Sequence, residues 1–280
     1  MEQSKMQGLE FLTDNPRLTP LIKSPLGRKT VTIVGLGGGG EIVFHLLRTG
    51  VFNMNLIDFD ILEEGNLVRH ICGNNFVGKN KAEAVSEFLG NFIGIEKDEA
   101  RNYFKPHSFN IFDNQKKFRE IVANSDVVVC ATDTDSSRYF INDICVELKK
   151  PAIFVGMFEK GSGGEIFTYI PGQACYSCIS NSHRRTEYLK KYETTLDKKD
   201  CSSSRDVKSA PGLGIDQSFL GAAAARKVID TLLIGMNHSL PPVGTNWIIF
   251  SISGIKNVIE ESLTSMCILP QKSDGCMSCS

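Results

Sequence analysis

The sequence predicts an α/β fold in which a mostly parallel sheet carries helices on both faces. Three observations lead there. Short β-branched apolar runs alternate with longer segments whose apolar residues recur at helical spacing. The connections between them are short, as in crossovers that bring each strand back parallel to the last. The first apolar run, VTIVG at residues 31–35, passes through Leu36 into four consecutive glycines before a helical pattern begins.

The elements follow in order. Residues 1–29 are polar, hold Pro16, Pro20 and Pro25, and read as an N-terminal arm ahead of a folded domain spanning 30–280. VTIVG is a buried strand, and EIVFHLLRTG is a helix closed by Gly50. MNLIDFD gives a second strand and NKAEAVSEFLGNF a second helix. A third strand falls in YFKPHSFNIF and a helix in QKKFREIVANS. DVVVCATD, SSRYFINDICVELK and PAIFVGMF continue as strand, helix and strand, and GGEIFTYI adds another strand. The segment from about 180 to 210 is polar, with no apolar period, and reads as a crossover loop of the kind that carries function. IDQSFLGAAAARKVIDTLLIG is a long helix, and WIIFSIS and KNVIEESL are expected to close the sheet.

Composition narrows the function classes. The 280 residues carry a formal net charge of −1, with 41% hydrophobic and 22% charged residues. No basic excess points to nucleic acid or an anionic membrane surface. The first twenty residues show no basic segment leading into an apolar one, and no apolar stretch is long enough to span a bilayer, so a cytoplasmic location is expected. In that compartment nine cysteines point to metal binding, catalysis or burial, and not to a disulfide framework.

Gly35, Gly37 and Gly40 fit G-x-G-x-x-G between a predicted strand and a predicted helix. Glycine lets the backbone approach a phosphate, and the helix N-terminus offers N–H groups and a positive dipole end. Asp58, at the end of the next strand, can accept from ribose hydroxyls. Beyond it come Asn66 and Arg69, then Lys81 at a helix start and Asp133 at the end of a later strand. An arginine, a lysine and a carboxylate at one sheet edge suit a triphosphate with magnesium better than a nicotinamide. Each cation alone reads as a solvated surface charge.

Cys175 and Cys178 form one C-x-x-C and Cys276 and Cys279 another, a set that can give tetrahedral sulfur coordination. Cys130 and Cys145 read as core residues, and Cys267 is uninformative. Cys72 follows the Arg69–His70 segment. Cys201 lies on the polar loop near Lys198, Lys199 and Arg205, which favour its thiolate.

These residues resemble the ubiquitin-activating-enzyme superfamily, in particular its compact ThiF-like members, which activate sulfur-carrier and ubiquitin-like proteins. The likeness runs from about residue 30 to the end. It rests on G-x-G-G-x-G at 35–40, D-F-D at 58–60, N-L-x-R at 66–69, Lys81, T-D at 132–133 and P-G-x-x-C-Y-x-C at 171–178. The resemblance implies a Rossmann-like ATP-binding domain with Gly35, Gly37, Gly38, Gly40, Asp58 and Asp60 at the nucleotide. It implies Asn66, Arg69 and Lys81 on the phosphates, Asp133 supporting magnesium, and a structural zinc on the four paired cysteines. It implies Cys201 as the thiol that receives the activated carrier.

The expected activity is adenylation of the C-terminal carboxylate of a ubiquitin-like protein, followed by thioester transfer to Cys201. A conjugating enzyme and a homodimer are further expected partners. An adenylating enzyme acting on a sulfur carrier, a small molecule or tRNA without a thioester is the alternative within the superfamily. An NAD-dependent dehydrogenase and an inactive zinc-bound scaffold are the alternatives outside it. Three features depart from the resemblance. The arginine that compact members supply across the dimer has only Arg17 as a candidate. No separate cysteine domain or C-terminal ubiquitin-fold domain is expected from these 280 residues, and the loop lacks the usual local cysteine motif.

Overall fold

The computed structural model describes residues 15–22, 26–180, 213–255 and 258–279. Residues 1–14 and 23–25 of the expected arm (1–29) and most of the expected crossover loop, with Cys201, lie outside these residues.

Eight strands form one sheet in the order β3-β2-β1-β4-β5-β6-β7-β8. They are β1 (Thr30–Val34), β2 (Asn53–Ile57), β3 (Phe104–His107), β4 (Val127–Cys130), β5 (Ala152–Met157), β6 (Gly163–Tyr169), β7 (Trp247–Ser251) and β8 (Thr264–Ile268). The first five pair in parallel and the last three antiparallel. The helices are α1 (Gly39–Arg48), α2 (Lys81–Ile93), α3 (Lys97–Tyr103), α4 (Gln115–Ala123), α5 (Asp135–Glu147), α6 (Tyr176–Ser180) and α7 (Gly214–Leu232).

Strand periodicity divides the core in two. Val31, Ile33, Val127, Val129 and Ile153 face one way, against Ile42 and Leu46 of α1, Val85 of α2, and Leu220 and Val228 of α7. Val34, Val128, Cys130, Ala152 and Phe154 face the other, against Phe118 of α4, Ile141 and Ile144 of α5, and Tyr176. Successive side chains point to opposite sheet faces, so a strand that is apolar at every position needs helices on both sides. This is the Rossmann-like α/β sheet that the sequence predicts.

The second face also holds a polar row. Thr32 Oγ1 lies 2.6 Å from Ser125 Oγ and accepts from Asn55 Nδ2 at 3.0 Å, and Asn55 Oδ1 lies 3.3 Å from His107 Nε2. Burial first, then Lys117 and Lys105, lowers the His107 pKa to about 4.

Three local expectations change. The third strand is only Phe104–His107, and the helix α3 precedes it. Residues 97–103, KDEARNY, bury only Ala100, so no apolar period marks that helix. KNVIEESL is not a strand among its described residues. Ser251 Oγ donates to the Glu261 carbonyl at 2.8 Å and accepts from Gly254 N–H at 3.1 Å, turning the chain into a loop after β7. The sheet closes instead with β8, a half-exposed edge strand whose sequence, TSMCI, has little apolar pattern.

Candidate functional site

In this strand order β1 and β4 are neighbours whose following connections lead to opposite sides, which opens a crevice at their carboxyl ends. Gly35 sits at that point with φ +86°. A Cβ there would lie 2.8 Å from the Ala131 carbonyl that follows β4, so the close approach requires glycine. Gly39 and Gly40 pack on Ile33 and Ile71, which holds the first turn of α1 against the sheet. Beside Gly37 there is open space, with no atom within 4 Å of where a Cβ would be.

Asp58, buried at the end of β2, fixes this loop. Its Oδ2 accepts from Leu36 N–H at 2.7 Å and its Oδ1 from Asp60 N–H at 2.9 Å. Burial raises its pKa, against the lowering effect of those two bonds and of Lys81. Asn80 caps α2 by accepting from Ala82 and Glu83 N–H, and its amide donates to the Asp58 and Asp60 carbonyls at 3.0 Å each. Asn80 thereby ties the start of α2 to the end of β2, which brings Lys81 Nζ to 2.9 Å from Asp60 Oδ2.

Glu63–Asn66 forms a capped turn in which Asn66 Oδ1 accepts from Glu63 N–H at 3.1 Å. The Asn66 carbonyl accepts from the N–H groups of Arg69 and His70, so this turn sets the Arg69 backbone. Asp133 lies exposed just past β4, beside the α5 N-cap Thr134. The structure therefore brings Gly35, Gly37, Gly38, Gly40, Asp58, Asp60, Asn66, Arg69, Lys81 and Asp133 to the carboxyl edge of the parallel strands. Asp58 holds the loop through backbone N–H groups, Asp60 pairs with Lys81, and Asn66 closes a turn, structural tasks that the spacing alone did not specify. Arg17, the candidate trans arginine, is exposed on the segment 15–22.

His70 lies under the loop and is 8% exposed. Its Nδ1 accepts from Cys72 N–H at 3.1 Å, so the neutral ring carries its proton on Nε2. Burial, then Lys81, lowers its pKa to about 4. His70 and His107 give stability a pH dependence. The unfolded chain binds a proton at each near pH 6.5, whereas the folded chain resists until about 4. Stability is thus complete above about pH 6.5 and falls through that window, by on the order of 2 kcal/mol for a buried histidine. Urea midpoints measured from about pH 7 to 4.5 should drop, and His107→Gln should flatten the drop; a wild-type midpoint constant across that range contradicts this account.

The four paired cysteines converge although about a hundred residues separate the pairs. Their sulfurs all lie within 4.8 Å of one another. Cys175–Cys178, Cys175–Cys276 and Cys178–Cys279 are 3.9, 3.7 and 3.4 Å apart. A tetrahedral zinc with Zn–S of about 2.3 Å needs sulfur separations of about 3.8 Å, so the spacing fits a metal and is far too long for disulfides. Asn142 Nδ2 reaches Cys175 Sγ at 3.8 Å and Ser273 N–H donates to Cys178 Sγ at 3.4 Å, the outer hydrogen bonds that thiolate ligands use. The cluster could hold zinc, and four sulfurs leave no open position for a substrate. Cys72 is different: it is 1% exposed, and burial, then Glu87, pushes its pKa up to about 12. It is unsuited to act as an attacking thiolate.

Sequence reading missed Asn80, which stands in the ordinary N-cap position before α2 and was legible as such. It also missed Gln217 of α7, whose partners are distant in the chain and left no local signal.

The comparisons with known proteins bear on the family and the fold. The ThiF family model matches residues 22–247. The chain is 33% identical over 159 residues to the SAMP-activating enzyme E1 of Haloferax volcanii, covering 53% of this chain and 52% of that one. It is 32% identical over 162 residues to ubiquitin-like modifier-activating enzyme 5 of Dictyostelium discoideum, covering 54% and 41%. The chain thus spans about half the length of these curated relatives or less. A crystal structure of E. coli MccB with AMPCPP and MccA superposes with a TM-score of 0.63 at 21% identity, covering 91% of this chain and 68% of that one, a likeness of fold. No helix among the described residues is long and apolar enough to cross a membrane. From the matched span, the glycine loop and the shared sheet, the chain belongs to the ThiF family.

Proposed function

We propose that this protein is an ATP-dependent adenylating enzyme that activates the C-terminal carboxylate of a ubiquitin-like protein with an exposed tail. One observation carries the reading. The glycine loop, pinned by Asp58, has its open side at the same sheet edge as Arg69, the Lys81–Asp60 pair and Asp133. A loop built for a dinucleotide needs its glycines and its ribose carboxylate but gives no task to two cations and a second strand-end carboxylate. Family membership and those residues together favour ATP over the dehydrogenase alternative.

In the proposed reaction a carboxylate oxygen of the carrier attacks the α-phosphorus of ATP. The bond from that phosphorus to the bridging oxygen breaks, pyrophosphate leaves and an acyl-adenylate forms. Gly35, Gly37, Gly38 and Gly40 let the backbone approach the phosphates, and Asn66, Arg69 and Lys81 contact them. Arg69 and Lys81 balance the charge that builds on the departing oxygens. Asp58 and Asp60 serve the ribose side while bracing the loop and orienting Lys81. Asp133 would hold magnesium, which supplies further charge neutralisation on the phosphates. Cys175, Cys178, Cys276 and Cys279 would hold a structural zinc.

We further propose that the Cys201 thiolate then attacks the acyl carbon, forming a thioester and releasing AMP, for delivery to a conjugating enzyme. Cys201→Ala separates the steps. It should keep carrier-driven ATP–pyrophosphate exchange and lose the thiol-sensitive carrier adduct. An adduct that persists in the variant overturns the assignment of Cys201, and its absence in the wild type places the enzyme with sulfur-carrier adenylation. The working unit in this reading is a homodimer, the commonest closed symmetry, and a monomer by light scattering contradicts that.

A further inference from the structure

Gln217 joins two parts of the candidate nucleotide site that the chain keeps far apart. It lies in the first turns of α7 and is 8% exposed. Both N–H groups of its amide are used: Nε2 donates to the Gly37 carbonyl at 2.8 Å and to the Arg69 carbonyl at 3.1 Å. The contact is built closely. A Cβ on Gly214 would lie 2.6 Å from the Val68 carbonyl, so the start of α7 rests directly on the backbone that leads into Arg69.

The consequence follows from peptide geometry. Carbonyl and N–H of a trans peptide point in opposite directions. A Gly37 carbonyl held toward Gln217 turns the N–H of Gly38 the other way, and the loop's open space adjoins Gly37. Gly38 has φ −79° and ψ −30° and is the N-cap of α1, so its N–H belongs to the positive end of that helix. At Arg69 the same logic applies to the next peptide. Its carbonyl is held by Gln217 and its N–H, on His70, by the Asn66 carbonyl, which fixes the orientation of the peptide that follows Arg69. Neither glycine nor a surface turn would keep such an orientation unaided, since glycine explores the widest backbone range of any residue.

We propose that Gln217 is a positioning residue for the nucleotide phosphates: it aims the Gly38 N–H into the loop opening and fixes the Arg69 backbone. This rests on the reading of the site as an ATP site. It adds to that reading a residue on α7, outside the sequence motifs that define the loop.

The test uses the full-length protein, with ATP and adenosine affinities measured by calorimetry and the melting temperature measured alongside. Gln217→Met keeps the length of the side chain and removes both donors. It should weaken ATP about tenfold, the scale of one or two neutral hydrogen bonds, and change adenosine less than about twofold. Gly38→Pro deletes the N–H that Gln217 is said to aim, at a φ that proline adopts readily. It should also weaken ATP, and in the double variant the Gln217→Met loss should shrink, because its target is gone. Two independent, fully multiplicative losses overturn the proposal. So do unchanged ATP binding in Gln217→Met, or equal losses for ATP and adenosine together with a lower melting temperature. If the wild type binds adenosine and ATP equally or not at all, the ATP-site reading fails, and this proposal with it.

Discussion

Lys81→Ala should lower carrier-driven ATP–pyrophosphate exchange by about 10- to 1000-fold, the range seen when a preorganised charge is removed from a transition state. The same variant should cost little stability. The Lys81 side chain is 12% exposed and its partner Asp60 50% exposed, a half-solvated pair worth about 1 kcal/mol at most. The cap of α2 survives too, because Asn80 makes it with its own side chain. Arg69→Ala and Asp133→Ala should behave alike, with exchange collapsing in a folded protein. Exchange kinetics beside a melting curve decide the matter, and unchanged exchange in all three variants refutes the site.

The second large effect falls on the cysteine cluster. Cys276→Ser should take the bound zinc from one per chain to near none and destabilise the fold by more than about 3 kcal/mol, since structural zinc contributes directly to folding. The loss spreads because Tyr176, between the first two ligands, stacks on Phe154 at 4.6 Å and accepts from Arg138 at 3.4 Å. Cys267→Ser is the control: Cys267 is exposed and outside the cluster, and both readouts should stay at wild-type values. Elemental analysis and thermal melting test this together, and a wild type without zinc contradicts it.

Much of this architecture is written locally. VTIVG, DVVVC and AIFVG are mostly apolar runs because both faces of their strands are covered, and the glycines between β1 and α1 mark the loop by their number alone. The two C-x-x-C pairs announce a shared ligand, although only the fold shows their sulfurs meeting. What escaped was set by tertiary contact. Helix α3 buries one alanine and has no period to read. Strand β8 is held by pairing with β7, not by an apolar face of its own. Gln217 is one of several polar residues of α7, and its role exists only where that helix meets Gly37 and Arg69. Cys72 lies close to Arg69 in sequence, and only the fold shows that it is buried and that burial pushes its thiol pKa up.

The central claim is that this chain forms an acyl-adenylate at a carrier's C-terminus. The most direct measurement is mass spectrometry of a ubiquitin-like carrier after incubation with the full-length protein, ATP and magnesium, with pyrophosphate release followed in parallel. The account predicts a carrier heavier by one adenylyl group, one pyrophosphate released per adduct, and loss of both with Lys81→Ala. A chain that binds zinc and nucleotide yet releases no pyrophosphate with any carrier contradicts it.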